Sequence, residues 1–189
     1  MITPAMHHPP TAANEAMEIY MRNVIVGVLC DFAGVDGSQP CGEQNIAHAT
    51  MKRVVENLLE NHQAFSSNII NLGLETDLNN MSFVGKVGNI VFSEDINWGR
   101  VASMVAFGVV VCQHLKENVR NHSVIESVGH EITTCLLKHQ SQWLIENNTW
   151  YGFVEFFSHK MVNPVIVPRI LHTVALGVGG CLLLAWISV

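Results

Sequence analysis

At 189 residues the chain has the length of one ordinary domain with a sizeable core. Apolar residues make up 49% and charged residues only 14%, so some apolar part of the chain is expected to leave water. A net charge of −6, with ten scattered Lys and Arg and no basic stripe, argues against nucleic acid as a partner. The first 16 residues are rich in Pro, His and Ala and lack an apolar stretch, so no signal peptide is read there and the chain is expected to begin in the cytosol. Cys30, Cys41, Cys112, Cys135 and Cys181 form an odd set without C-x-x-C spacing, and they read as small core hydrophobes in a reducing compartment.

Residues 1–13 read as a flexible tail. Residues 14–33 carry Met17, Tyr20, Val24 and Val28 at spacings of three and four, which predicts a helix, and Gly34, Gly37 and Pro40 break it. After a short polar linker, a second helix is predicted over residues 44–70, with its stripe at Ala47, Met51, Val54, Leu58, Phe65 and Ile69. Turn-forming residues over 71–80 predict a bend. A shorter helix over 82–92 precedes Ser93-Glu94-Asp95, which offers capping oxygens and negative charge to the next helix start. Helices over 98–118 and 124–147 follow, the first apolar on nearly every side, as suits the inside of a bundle. No run alternates at period two and no internal repeat is found. The fold class is all-α, with a bundle over residues 14–162 and a linker over 163–169.

Residues 170–189 contain no Asp, Glu, Lys or Arg and have about the length of a bilayer-spanning helix. A C-terminal transmembrane anchor is expected there. The alternative is a buried core helix, although His172 is polar and Gly177, Gly179 and Gly180 suit membrane packing better than a soluble helix.

The most informative words are Asn97-Trp98-Gly99-Arg100 and, about 40 residues on, a block from Trp143 through Trp150 to Gly152-Phe153-Val154-Glu155-Phe156-Phe157. An indole, a residue without a side chain and a guanidinium in one helical turn offer an incoming helix an apolar wall, close backbone approach and a fork-shaped cation for a carboxylate. In order and spacing the two blocks resemble the first and second homology regions of the Bcl-2 family of apoptosis regulators, with wording closest to its myeloid-cell-leukaemia (Mcl) branch. The resemblance implies about eight helices around two apolar central ones, here 98–118 and 124–147. It also implies a surface groove that receives an amphipathic helix, the third homology region of a pro-apoptotic relative.

Carried onto this sequence, the resemblance gives Arg100 the ligand's aspartate in a charge-assisted pair, Gly99 the close approach, and Asn97 a polar contact beside them. Met104 and Phe107 would form the floor with Val87 and Val91. Val54, Leu58, His62, Phe65 and Ile69, spaced by three or four, would form the other wall. Taken singly, Val54, Leu58, Val87, Val91 and Phe107 are more often core residues than groove residues, and an isolated Arg100 reads equally well as a solvated charge; only the surrounding motif raises them. Trp98, Trp143 and Trp150 read as structural packing at the ends of the central helices, with Gly152 part of the same motif.

The chain's own third region would be Met51-Lys52-Arg53-Val54-Val55-Glu56-Asn57, which departs from the ligand pattern with Met51 for Leu, Val55 for Gly and Glu56 for Asp. A β-branched residue at the closest approach makes a poor ligand. That favours a receptor that restrains death over a pore-forming effector of the same fold. An unrelated helical membrane protein is the other rival, supported by the tail alone.

Catalytic readings find little. His130-Glu131 lacks the second histidine of H-E-x-x-H because position 134 is Thr, and neither a phosphate loop nor a nucleophile elbow occurs. No enzyme activity, cofactor, metal or small-molecule substrate is expected. The expected partners are pro-apoptotic helices and, through the tail, the cytosolic face of the mitochondrial outer membrane or the endoplasmic reticulum.

Overall fold

A computed structural model describes residues 12–35, 43–61, 82–93, 96–116 and 122–159. These form six helices: α1 (Ala12–Ala33), α2 (Glu43–Asn61), α3 (Ser82–Val91), α4 (Trp98–Lys116), α5 (His122–Glu146) and α6 (Thr149–His159). No strand occurs among the described residues. Residues 62–81, with His62, Phe65, Ile69 and the expected bend, lie outside them, as does the expected anchor over 170–189. Among the described residues no helix is long and apolar enough to cross a membrane.

α4 is the axis of the bundle. Every residue from Val101 to Cys112 is buried, so this helix is enclosed on all sides, as its unbroken apolar composition requires. α1 packs along both α4 and α5 and across α2, while α3 lies mainly on α5 and α2 also meets α6. α1 is more deeply held than one apolar stripe suggests, since Met21, Val24, Ile25, Val28 and Leu29 are all fully enclosed. At the crossings of α1 with α5 and of α4 with α5 the helices approach through missing side chains. A Cβ on Gly129 would collide with Val26, and one on Gly108 would stand 2.7 Å from Ile132 Cδ1.

One feature of the last third of the chain differs from the sequence reading. α5 is broken at Gln140, where φ −136° and ψ 19° leave the helical region. The helix ends at Glu146, within one residue of the expected Asn147, and a separate helix follows. Asn148 and Thr149 adopt left-handed φ of 58° and 49°, turning the chain so that α6 folds back. Asn tolerates that region and a β-branched Thr does not, so the surrounding contacts must hold the turn. Asn147 does so in part, its Nδ2 donating to Trp143 O at 2.9 Å. Gly152 permits the fold-back, because a Cβ there would run into the Asn147 carbonyl.

The three described thiols, Cys30, Cys112 and Cys135, are buried, as the sequence suggests, and Cys41 and Cys181 lie outside the described residues. Burial pushes Cys112 up to about 12 and raises Cys30 and Cys135 as well, with Glu126 and Asp31 adding at Cys30 and Glu131 at Cys135. Cys30 Sγ stands 4.0 Å from His122 Nδ1, yet a thiol held protonated by burial is a poor nucleophile.

Candidate functional site: a helix-binding face around Arg100

The start of α4 is fixed by its own sequence. Asn97 precedes the helix and its Oδ1 accepts the Arg100 backbone N–H at 3.0 Å, an N-cap. Ser93 does not cap this helix as its position suggested. Its hydroxyl turns back and donates to Ile90 O at 2.9 Å, closing α3 instead, and Glu94 and Asp95 lie outside the described residues.

Trp98 anchors the same turn from inside. The buried ring lies 4.6 Å from Trp143, 6.3 Å from Trp150 and 5.7 Å from Phe153, centroid to centroid, and Trp150 and Phe153 meet edge to face at 5.4 Å. These rings come from the start of α4, the end of α5 and the start of α6, so the two tryptophan-rich words of the sequence form one aromatic cluster. Such contacts add about 0.5–1.5 kcal/mol per pair to the burial of the rings. With Trp98 held inward, Gly99 and Arg100 are half-exposed beside it.

Arg100 is not a lone surface charge. Its Nη1 donates to Val91 O at 3.1 Å, tying the guanidinium to the end of α3. That bond fixes one corner of a planar, fork-shaped cation beside Gly99.

The apolar residues assigned to the groove divide by depth. Val54, Leu58 and Val87 sit at the edge of the core and keep 5–8% of their surface. Val91 and Met104 are fully enclosed and Phe107 nearly so. They belong to the core, as the ordinary reading allowed for Val91 and Phe107 but not for Met104. α3 covers them: Phe83 meets Phe107 edge to face at 6.3 Å, and Met104 Cε would be 3.6 Å from a Cβ on Gly88. Met104 and Phe107 thus lie beneath α3. Phe83 and Gly88, which the sequence reading did not single out, lie over these residues. The spacing of Phe83 from Val87 was a usable signal for the first.

α3 is held by polar contacts that the sequence did not reveal. Cys135 Sγ contacts Gly85 O at 3.3 Å, His139 Nε2 and Asn89 Oδ1 pair at 2.8 Å, and Gln140 Nε2 donates to Phe92 O at 2.7 Å. On the far side, α2 is pinned to α1 by Lys52 Nζ and Asp31 Oδ2 at 2.9 Å, and Asp31 raises the affinity of Lys52 for its proton. Among the described residues no group of three His, Cys, Asp or Glu side chains is arranged to hold a metal.

A family model of apoptosis regulator proteins, Bcl-2 family, matches residues 51–150. That stretch runs from α2 through the capped start of α4 to Trp150. The chain belongs to the Bcl-2 family. Apoptosis regulator Bcl-2 of Canis lupus familiaris is 23% identical over 119 residues, 61% of this chain and 49% of that protein. The protein of the same name from Gallus gallus is 28% identical over 71 residues, 38% of this chain and 30% of that protein. The apoptosis regulator Bcl-2 homolog of Canarypox virus is 39% identical over 59 residues, 31% of this chain and 33% of that protein. The matched stretches therefore span between 30% and 49% of these relatives' length. The all-helical arrangement of the described residues is consistent with a Bcl-2-like bundle, and the family consists of regulators of apoptosis.

Proposed function

We propose that this protein restrains apoptosis by capturing the amphipathic third-region helix of pro-apoptotic relatives at the face around Arg100. The observation that carries the reading is the Arg100 guanidinium held at Val91 O, at the same helix start as Gly99 and backed by the Trp98 cluster. Val54 and Leu58 on one side and Val87 on the other would meet the ligand's apolar anchors, with Met104 and Phe107 reached as α3 yields. Capture is stoichiometric and needs no cofactor. The words Asn97-Trp98-Gly99-Arg100 and Gly152-Phe153-Val154-Glu155-Phe156-Phe157 support the Mcl branch as the nearest group.

The restraining role, as against pore formation, is supported by the chain's own third region. Met51 and Val55 are fully enclosed. Offering this segment to a partner's groove would first draw these two side chains out of the core, at about 1.5–3 kcal/mol each. Val55 would then still obstruct close approach.

A titration of the full chain with fluorescent third-region peptides tests the capture reading. At least one natural peptide is expected to bind with Kd of roughly nanomolar order, about −12 kcal/mol. No binding below about 10 μM across the whole set would contradict it.

Residues 170–189 are proposed as the anchor in the mitochondrial outer membrane or the endoplasmic reticulum. Leu183→Asp should weaken insertion by about 2.5–3.5 kcal/mol and move the protein toward the soluble fraction of lysed cells. Unchanged membrane association would show that this segment is not the anchor.

A further inference from the structure

The last carbonyls of a helix have no partner within it and must find donors elsewhere. At the end of α3 three consecutive carbonyls each have a side-chain donor: Ser93 Oγ on Ile90 O at 2.9 Å, Arg100 Nη1 on Val91 O at 3.1 Å, and Gln140 Nε2 on Phe92 O at 2.7 Å. The first donor is local. The other two reach in from the start of α4 and from the middle of α5. The α5 donor comes from the residue at which that helix is broken, with φ −136° and ψ 19°.

We propose that Gln140 is a positioning residue for ligand recognition: by holding Phe92 O it fixes the end of α3 and, through the neighbouring Val91 carbonyl, the direction of the Arg100 guanidinium. The proposal rests on the reading that Arg100 meets a ligand carboxylate. Gln140 itself touches no ligand. Its effect is preorganisation. While Val91 O is fixed, the guanidinium plane is ordered before the ligand arrives. Once Phe92 O is released, the turn holding Val91 O can fray and one of the contacts that order the guanidinium before binding is weakened. The contacts of Asn89 with His139 and of Gly85 with Cys135 keep the rest of α3 on α5, so loss of Gln140 acts at the helix end and does not release the helix.

The full chain, as wild type and as Gln140→Met, is titrated with a fluorescent third-region peptide carrying its aspartate and with the same peptide carrying Asp→Ala. Met keeps the length of the side chain and removes the donor without adding charge. The aspartate peptide is expected to lose about threefold to tenfold in affinity and the alanine peptide less than about twofold, so the coupling between Arg100 and the aspartate shrinks. Gln140→Asn, too short to reach Phe92 O from the same backbone position, should give the same preference and serves if the methionine variant does not fold. Equal losses for both peptides, or no loss for either, would overturn the proposal while leaving the capture reading in place. Failure of the wild type to bind either peptide would overturn both.

Discussion

Arg100→Ala is expected to weaken binding of an aspartate-bearing helix by about 2–5 kcal/mol, chiefly through faster dissociation. The pair would form at a half-buried helix start, where removing one partner leaves the other charge poorly solvated. A ligand with Asp→Ala should lose a similar amount against the wild type and little more against Arg100→Ala. Additive losses in that cycle would show that the groups do not interact. A solvated surface arginine would cost less than about 0.5 kcal/mol of stability on removal. The Nη1 donation to Val91 O at 3.1 Å raises that expectation to about 1–2 kcal/mol, because a charge-assisted bond that closes α3 is lost as well. Thermal unfolding separates this modest cost from the larger loss in binding.

Trp98→Ala should have the largest effect on folding, about 3–5 kcal/mol. Its ring is buried and touches Trp143, Trp150 and Phe153, so truncation opens a cavity where α4, α5 and α6 meet. At roughly 2–4 °C per kcal/mol for a chain of this size, Tm should fall by about 6–20 °C. A shift under about 3 °C would show that the cluster repacks and that Trp98 does not set the position of the Gly99-Arg100 turn.

The helices were legible where apolar spacing was the only determinant. Ala47, Met51, Val54 and Leu58 form one buried stripe on α2 as read, and the unbroken apolar run of α4 led directly to its central place. The two tryptophan words were legible as a motif, and their meeting in space explains the spacing. Backbone turns that the pattern does not encode were not. The end of α5 was read within one residue of Glu146, but the separate α6 was not, because the turn into it depends on a Gly152 that admits the Asn147 carbonyl. The irregularity at Gln140 has no local cause in sequence, since it accompanies a bond to Phe92, 48 residues earlier. Depth was also hidden. Periodicity places Val91, Met104 and Phe107 on faces, but whether those faces are open depends on how far α3 settles onto α4 and α5, a balance of packing that no single segment encodes.

The direction of action is tested most directly by adding the full chain to dye-loaded liposomes carrying an activated pore-forming member of the family. Capture at the Arg100 face predicts that dye release falls as the chain is added and stops near one chain per effector, with Arg100→Ala much less effective. Dye release caused by this chain alone, or release by the effector that no amount of the chain reduces, would contradict the restraining role.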